Sequence, residues 1–394
     1  MIQRRAHQTI LELAKGFPFV AISGPRQSGK TTLSRAAFPH KPYISLEDPD
    51  SREFADSDPR GFLARYPDGA ILDEVQRCPQ LFSYLQTRAD LDGRQGLYIL
   101  TGSQQFGLFS GITQSLAGRV GMVQLLPFST AELDQAGLLP ASIDDILYKG
   151  LYPPLYDRPL SPDQWYPGYA ATYVERDVRQ MINVRDLSSF QRFLRLCAAR
   201  TGQLLNLSSL ANDCGITHNT AKSWISILEA SYIIHLLVPH HNNFNKRMIK
   251  SPKLYFYDTG LVAWLIGIHE KSQLILHPLR GALFETWAVS ELLKGRFNRG
   301  LPSNLFFWRD STGNEVDVLI DCGLTLEPLE IKAGQTVTSD SFVGLRKWSA
   351  LAEKTAGRAR LVYGGDEYQE RQDVDVIPWR KIARITEAPG AIKD

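Results

Sequence analysis

The chain has 394 residues, of which 43% are hydrophobic and 22% are charged, and its formal net charge is +2. This length exceeds what one hydrophobic core usually supports, so we expect two or three domains, and the composition excludes a largely disordered protein. Because the net charge is small, any nucleic-acid binding must come from a local basic patch. The four cysteines are scattered without a CxxC pair, which argues against a disulfide framework and a zinc site.

The N-terminal segment predicts a short amphipathic helix, in which Arg4 and Arg5 precede the apolar Ile10, Leu11 and Leu13. This segment lacks the unbroken apolar run and the small-residue cleavage site of a signal peptide. No stretch of the sequence approaches the roughly twenty apolar residues that are needed to cross a bilayer. We therefore expect a cytoplasmic protein without a membrane partner.

A glycine-rich loop follows the apolar run at residues 19–22 and precedes a predicted helix, in the pattern GxxxxGK(S/T). In such loops the backbone N–H groups surround phosphates, the lysine reaches the terminal phosphates and the hydroxyl binds Mg²⁺. A glycine-rich surface turn is the alternative, but the flanking strand and helix favour an ATP site. The predicted cofactor-binding residues of the loop are Gly24, Pro25, Arg26, Gln27, Ser28, Gly29, Lys30, Thr31 and Thr32.

Two later apolar runs end in polar residues that complete such a site. The run ILDE ends in Asp73, which would hold Mg²⁺ together with Thr31, and in Glu74, which would deprotonate the attacking water as a catalytic residue. The run YILTGS ends in Thr101 and Ser103, small polar groups that can sense the γ-phosphate or hold the water. The sequence therefore predicts ATP and Mg²⁺ as cofactors.

Arg119 precedes the next apolar run, Val120 to Leu126. We expect the strand ends of a parallel sheet to face the nucleotide, and an arginine there can stabilise transition-state charge, often across a subunit boundary. The sequence therefore predicts Arg119 as a catalytic residue in a homo-oligomer. An ordinary surface arginine is the alternative.

The motifs along almost the whole chain resemble one family. In order they are GPRQSGKTTL, YISLEDPD, ILDEVQ, ILTGSQQF, SLAGRV, LLPFS, GLYPP, YVERDVR, KLYFYDTGL, GALFETWAVSELLK, FFWRDSTGNEVDVLI and LEIKAG. They are similar to the bacterial and archaeal AAA-type ATPases that carry a C-terminal domain of unknown function, DUF4143. This resemblance implies an AAA-like ATPase core whose strand order is rearranged around the P-loop strand, and it implies an arginine-finger role for Arg119.

The middle of the chain predicts two helices joined by a turn at Gly215, within residues 207–232. The second helix has an apolar stripe at Ala221, Trp224, Ile225 and Leu228, with the spacing of a helix face that packs on a core. Two apolar runs then bracket the basic segment HHNNFNKRMIKS, as the wing of a winged helix would be bracketed. The sequence therefore predicts a winged helix.

The opposite face of the second helix carries His218, Asn219 and Lys222, which are able to contact phosphates and base edges. Lys246 and Arg247 lie at the tip of the predicted wing. We therefore predict DNA as a partner through these five residues. A winged helix that serves as a lid or as a dock for a protein partner is the alternative.

The last part of the chain places Glu285 on a predicted helix, Asp317 on a strand, and Glu330 and Lys332 on the next strand. Because Glu330 and Lys332 are two residues apart, both side chains point to one side of the sheet. This arrangement resembles the PD-(D/E)XK nucleases. The resemblance implies that Asp317, Glu330 and Glu285 bind Mg²⁺ and that Lys332 activates water. A fold relic in which Lys332 pairs with Asp317 and Glu330 is the alternative.

These observations predict an α/β protein of three parts. Residues 1–145 are predicted to form an AAA-like P-loop ATPase domain, 146–270 a helical linker with a winged helix, and 271–394 a PD-(D/E)XK nuclease-like domain. The leading function is an ATP-hydrolysing protein that acts on DNA, with a possible metal-dependent nuclease site formed by Asp317, Glu330 and Lys332. The alternative is a nucleotide-controlled switch or scaffold that binds DNA or a protein and has an inactive nuclease-like domain.

Overall fold

The computed structural model describes residues 2–103, 112, 115–174, 187–240 and 250–386. The chain divides into two compact units. The first comprises Met1–Phe128, Ala230–Tyr232 and Arg296–Pro302, and the second comprises Ser129–Glu229, Ile233–Gly295 and Ser303–Asp394. A compact unit can hold more than one domain, so the three predicted segments stay a prediction.

The first unit contains a five-stranded sheet. Its strands are β1 (Phe19–Ser23), β2 (Tyr43–Ser45), β3 (Ile71–Asp73), β4 (Tyr98–Gly102) and β5 (Val120–Gln124). Their order in the sheet is β2-β3-β4-β1-β5, and every pair of neighbours is parallel. The predicted α/β architecture with a parallel sheet is therefore confirmed, and the P-loop strand β1 lies between two strands that are far from it in sequence.

Both faces of β1 are buried, which explains its continuous apolar sequence. Phe19 and Ala21 belong to one core cluster, whereas Val20 and Ile22 belong to another. Successive side chains of a strand point to opposite faces, and a parallel sheet has helices on both of them. The helices of this unit are α1 (Ala6–Gly16), α2 (Lys30–Ala37), α3 (Pro49–Ser57), α4 (Pro59–Ala64) and α5 (Leu81–Asp92).

The second unit contains two sheets and most of the remaining helices. The strands are β6 (Gln203–Leu204), β7 (Ile234–Leu237), β8 (Lys253–Phe256), β9 (Leu305–Arg309), β10 (Glu315–Asp321), β11 (Leu326–Lys332), β12 (Ala359–Tyr363), β13 (Gln369–Glu370) and β14 (Val374–Pro378). One sheet has the order β13-β14-β12-β11-β10-β9, and the other has the order β6-β8-β7. A bridge between Pro239 and Phe307 joins the end of β7 to β9, so the two sheets are neighbours.

Eleven α-helices are described in the remaining residues. They are α6 (Thr130–Gln135), α7 (Ile143–Lys149), α8 (Pro154–Asp157), α9 (Pro162–Tyr169), α10 (Leu187–Ala199), α11 (Leu207–Cys214), α12 (His218–Ala230), α13 (Thr259–Leu265), α14 (Lys271–Ile275), α15 (Arg280–Phe297) and α16 (Val343–Ala352). Helix α16 packs on β10 and β11, where Trp308, Leu345 and Trp348 belong to one buried cluster. Among the described residues, no helix has the length and apolarity needed to cross a membrane.

The predicted helix pair of the middle region corresponds to α11 and α12. Gly215 caps α11 with a φ of +67°, a conformation that glycine adopts without strain. The predicted apolar stripe is buried, and the Trp224 ring lies 5.3 Å from the Phe190 ring and 5.2 Å from the Phe193 ring. The two apolar runs that bracket the basic segment contain β7 and β8, and these strands pair antiparallel. The assignment of this region as a winged helix stays a prediction.

Candidate functional site

The glycine-rich loop follows β1 directly and leads into α2. A side-chain carbon on Gly24 would lie 2.1 Å from the backbone oxygen of Leu125, so the loop can take this path only with glycine there. Gly29 has a φ of +94° and precedes the first residue of α2, Lys30. The hydroxyl oxygen of Ser28 is buried and has no hydrogen-bond partner among the described residues. A tight backbone cradle with an unsatisfied buried hydroxyl fits a phosphate ligand.

Lys30 is buried at the base of the loop. Its ammonium donates hydrogen bonds to the backbone oxygens of Gly24 at 2.9 Å and Pro25 at 2.8 Å. Behind the loop, the buried guanidinium of Arg4 donates to the backbone oxygens of Ser28 and Leu126, both at 2.6 Å. The lysine that would reach the phosphates therefore rests on the loop itself, and Arg4 supports the loop from the side of α1.

Three more of the predicted loop residues take distinct positions. The guanidinium of Arg26 pairs with Glu47 at 3.3 Å. Gln27 has a φ of +64°, which gives the loop its turn. Thr32 lines a surface cavity together with Thr31 and Tyr43. All of the predicted loop residues thus lie at the carboxyl edge of the parallel sheet, the edge at which such folds bind ligands.

The predicted Mg²⁺ residues also meet at this edge. The hydroxyl of Thr31 donates to Oδ2 of Asp73 at 3.0 Å, and the hydroxyls of Tyr43 and Thr101 donate to the same carboxylate. Burial, and then the hydrogen bond to Asp73, raise the pKa of Tyr43, so its hydroxyl keeps its proton and donates. A hydroxyl and a carboxylate at this separation fit Mg²⁺, which prefers hard oxygen ligands.

Glu74 follows Asp73 in a strained backbone conformation, with a φ of +54°. Its carboxylate accepts hydrogen bonds from the amide of Gln76, from the Ser103 hydroxyl at 2.9 Å and from the Ser103 backbone N–H at 3.3 Å. These contacts fix Glu74 beside Asp73 at the ends of β3 and β4. The strain is local to the predicted catalytic base and is the sort that clusters at active sites.

Arg119 lies at the opposite edge of the sheet, which corrects one expectation. Val120 pairs with Phe19, the first residue of β1, and the Phe19 N–H donates to the backbone oxygen of Arg119 at 3.2 Å. A residue that precedes a parallel strand lies at its amino end, about 15 Å from the carboxyl end of a five-residue strand. The expectation that Arg119 faces the nucleotide edge of its own sheet was therefore wrong. Its side chain pairs with Asp90 at 2.7 Å, and a role across a subunit boundary stays a prediction.

The four predicted residues of the C-terminal cluster converge. In the antiparallel pairing of β10 with β11, Val318 faces Leu329, so the register places Asp317 next to Glu330. Oδ2 of Asp317 accepts from the Ile331 N–H at 2.9 Å and lies 4.0 Å from the Lys332 ammonium. Lys332 also donates to Glu330. The structure therefore joins Asp317, Glu330 and Lys332 in one group.

Lys253 and Tyr255, on β8, enter the same cluster. The buried Lys253 ammonium lies 3.0 Å from Oε1 of Glu285, contacts Glu315, and is 3.9 Å from Oδ1 of Asp317. The Tyr255 hydroxyl donates to Glu285. Glu285 on α15 thus reaches Asp317 through Lys253, and its carboxylate is already engaged by side chains of β8.

The pKa values of the cluster reflect burial and crowding of like charges. Burial, and then the negative charge of Asp317, raise the pKa values of Glu285 and Glu330 to about 7. Burial lowers the pKa of Lys253, but the carboxylates of Glu285 and Asp317 outweigh burial and the net shift is upward. Lys253 is therefore charged, and the neighbouring carboxylates stabilise its ammonium in the place of water.

The cluster does not fit a divalent metal in this conformation. Among the described residues, no three His, Cys, Asp or Glu side chains are arranged as a metal-binding group. One oxygen of Glu330 is buried without a hydrogen-bond partner, yet Glu285 and Asp317 both face the Lys253 ammonium. The predicted metal role of Glu285, Asp317 and Glu330 stays a prediction.

The predicted DNA-contact residues divide into two groups. His218, Asn219 and Lys222 are exposed at the start of α12, on the side away from its buried stripe. Lys246 and Arg247 lie outside the described residues.

The sequence motifs did not single out Arg4, Tyr43, Lys253, Tyr255 or Glu315. Three of these carried a usable signal. Lys253 and Tyr255 are two apart in the strand motif KLYFYD, and Glu315 is two before Asp317, so each pair shares one face of a strand. Arg4 carried no such signal, because its partners lie 24 and 122 residues away.

The parallel sheet, its P-loop and the paired Thr31 and Asp73 define a P-loop ATPase-like fold in the first unit. The AAA domain family matches residues 16–134, and the domains of unknown function DUF8612 and DUF4143 match residues 140–272 and 280–382. The chain therefore carries an AAA domain and a C-terminal DUF4143 domain, and the predicted family is confirmed. The resemblance to PD-(D/E)XK nucleases stays a prediction.

The chain is similar to the uncharacterized proteins Rv2008c of Mycobacterium tuberculosis and Mb2031c of Mycobacterium bovis. Each is 29% identical over 354 residues, which cover 89% of this chain and 77% of the relative. Among solved structures, the chain is similar to a Walker-type ATPase of Pyrococcus abyssi, with 16% identity and a TM-score of 0.44. The similarity covers 67% of this chain and 96% of that chain. RuvB of Thermotoga maritima is 17% identical over 58% of this chain and 87% of its own, with a TM-score of 0.29.

Proposed function

We propose that the protein binds ATP with Mg²⁺ and hydrolyses it at the carboxyl edge of the first sheet. The observation that supports this proposal is the convergence of Lys30, Thr31, Asp73 and Glu74 around one glycine-rich loop. Mg²⁺, when bound, neutralises phosphate charge, and Thr31 and Asp73 are the residues that would hold it. Lys30 exchanges neutral backbone oxygens for phosphate oxygens. Glu74 orients the attacking water and takes its proton.

Repeated turnover separates this proposal from the alternative of a nucleotide-controlled switch. Phosphate release is measured over many ATP equivalents per chain, with and without DNA. A hydrolase releases phosphate at a steady rate that continues past the first equivalent. A switch releases about one equivalent and then stops, because bound ADP holds the second state.

We further propose that the exposed start of α12 contacts DNA through His218, Asn219 and Lys222, with Lys246 and Arg247 assisting from the predicted wing. The exposure of this face beside a buried stripe supports the proposal. Lys222→Ala should weaken binding of a fluorescent duplex and reduce the slope of affinity against salt by about one, the contribution of one phosphate contact. Lys271→Ala, at an exposed lysine of α14, is the matched control. Equal salt slopes in the Lys222 and Lys271 variants would favour a protein partner for this face.

We also propose that the protein assembles into a homo-oligomer in which Arg119 acts across a subunit boundary. Arg119→Ala and Lys30→Ala chains are each expected to hydrolyse ATP poorly. When the two are mixed, some sites combine an intact loop with an intact Arg119, and hydrolysis should partly return. If Arg119→Ala alone hydrolyses ATP as the wild type does, Arg119 is a surface residue paired with Asp90.

Cleavage of DNA at the C-terminal cluster is the second candidate function. The meeting of Asp317, Glu330 and Lys332 on two paired strands favours it. Its test is digestion of linear, circular and single-stranded DNA with Mg²⁺ or Mn²⁺, with Asp317→Ala and Lys332→Ala beside the wild type. Cleavage that both variants lose supports a nuclease, and intact DNA from protein that still hydrolyses ATP rejects it.

A further inference from the structure

Lys253 is the most enclosed charged side chain of the C-terminal cluster. Only 3% of the residue is exposed, and it is the first residue of β8. Its ammonium faces the carboxylates of Glu285, Glu315 and Asp317, which come from a helix and from a strand of the other sheet. The ring of Phe307, 5.7 Å from the ammonium, covers another side. A lysine in such a position is retained only because its charge is balanced.

Other cations lie at the margin of the cluster rather than inside it. Arg309 reaches Glu315 at 3.1 Å, and Lys332, whose side chain is 41% exposed, pairs with Glu330. Neither side chain contacts Glu285, whose carboxylate accepts hydrogen bonds from Lys253 and Tyr255. Lys253 is thus the group that links the acid of the helix with the acids of β10.

We propose that Lys253 is a built-in cation of this cluster and takes the place that a divalent metal would need between Glu285 and Asp317. While Lys253 remains there, the cluster binds no metal. The proposal bears on the second candidate function, because DNA cleavage with Mg²⁺ would require Lys253 to leave. It does not depend on ATP hydrolysis.

Binding of Mn²⁺ to the full-length chain, measured by electron paramagnetic resonance without nucleotide, tests the proposal. The proteins are the wild type, Asp317→Asn, Lys253→Met and the double variant Lys253→Met/Asp317→Asn. Methionine keeps an unbranched side chain and removes the charge. We expect the wild type and Asp317→Asn to bind equal numbers of Mn²⁺ ions, Lys253→Met to bind one more per chain, and the double variant to lose that extra ion.

Two results would overturn the proposal. One is a Mn²⁺ ion in the wild type that Asp317→Asn removes, since the cluster would then bind metal with Lys253 in place. The other is a folded Lys253→Met protein that gains no Mn²⁺. The comparison of wild type with Asp317→Asn remains decisive even if Lys253→Met does not fold. Because DNA is absent from the measurement, failure of DNA cleavage and failure of this proposal are separate results.

Thermal unfolding supplies a second readout. Lys253→Met leaves buried carboxylates without their counter-ion, so its Tm should fall by several degrees, and Mn²⁺ should restore most of that loss. Lys271→Met, which removes an exposed lysine paired with Asp145, is the control. We expect Mn²⁺ to cause only the same small shift in Tm in this variant and in the wild type. An equal response of Lys253→Met and Lys271→Met would contradict the proposal.

Discussion

The loop of the AAA domain and the C-terminal cluster each hold a buried lysine near acids, and the contacts that the two lysines make are different. Lys30 donates to two neutral backbone oxygens, whereas Lys253 lies against three carboxylates. Exchange of a neutral partner for a phosphate oxygen gains electrostatic energy, but removal of a buried lysine from its acids leaves unpaired charge. The loop is therefore arranged to bind a charged ligand. The C-terminal cluster, in contrast, already binds a charged group of its own chain, the Lys253 ammonium.

The largest expected effect on ATP binding and hydrolysis together is at Lys30. Lys30→Ala removes the charge that would stabilise the terminal phosphates, and loss of one such group typically lowers the rate by about 10²–10³-fold. Steady-state phosphate release and ATP binding should both fall. Lys15→Ala, at an exposed lysine near the end of α1, is the control and should keep wild-type activity. Activity of Lys30→Ala near that of the control would reject the assigned ATP site.

A smaller effect is expected at Arg4, which contacts the loop but lies behind it. Arg4→Ala leaves the buried backbone oxygens of Ser28 and Leu126 without this donor, at about 1–3 kcal/mol for an unsatisfied group. We expect KM for ATP to rise about tenfold, with a smaller change in kcat, because the loop loses its support. The adjacent exposed Arg5→Ala is the matched control. An unchanged KM would show that the loop keeps its shape without Arg4.

The last effect concerns stability and not catalysis, and it is the dependence of the free energy of unfolding on pH at Glu330. Its pKa is about 7 in the folded chain against a usual 4.5, because of burial and then Asp317, so the folded state holds more protons between these values. The free energy of unfolding contributed by Glu330 therefore falls as pH rises from about 4.5 through about 7. Glu330→Gln should flatten part of this slope in urea unfolding at pH 5 and pH 8. Glu12→Gln, at an exposed glutamate, should keep the wild-type slope. Equal slopes for the two variants would contradict the assignment of the pH dependence to Glu330.

The sequence predicted those features whose residues are close along the chain. The strand, loop and helix at residues 19–37 follow from an apolar run, glycines and a helix start, and the turn at Gly215 follows from a glycine between two apolar patterns. The strand that carries Asp317 and the next strand, which carries Glu330 and Lys332, correspond to β10 and β11. In each case local sequence and local structure agree, which is where pattern analysis is strongest.

The features that sequence did not predict depend on contacts across long separations. Lys253 meets Glu285 and Asp317 from 32 and 64 positions away, and no periodicity links such residues. The expectation for Arg119 was wrong because a residue that precedes a parallel strand lies at the amino end of that strand. The nucleotide edge of the sheet is formed by the carboxyl ends. Convergence of several strands at one site therefore needs the fold itself.

The most direct test of the account is ATP binding and hydrolysis by Glu74→Gln beside the wild type. Glutamine keeps the shape of the side chain and can still accept from Ser103, but it cannot take a proton from water. We predict unchanged ATP affinity in the presence of Mg²⁺ and hydrolysis reduced by about 10²–10⁴-fold, the usual contribution of a general base. Hydrolysis by Glu74→Gln at the wild-type rate would contradict the assignment of this edge of the sheet as the catalytic site.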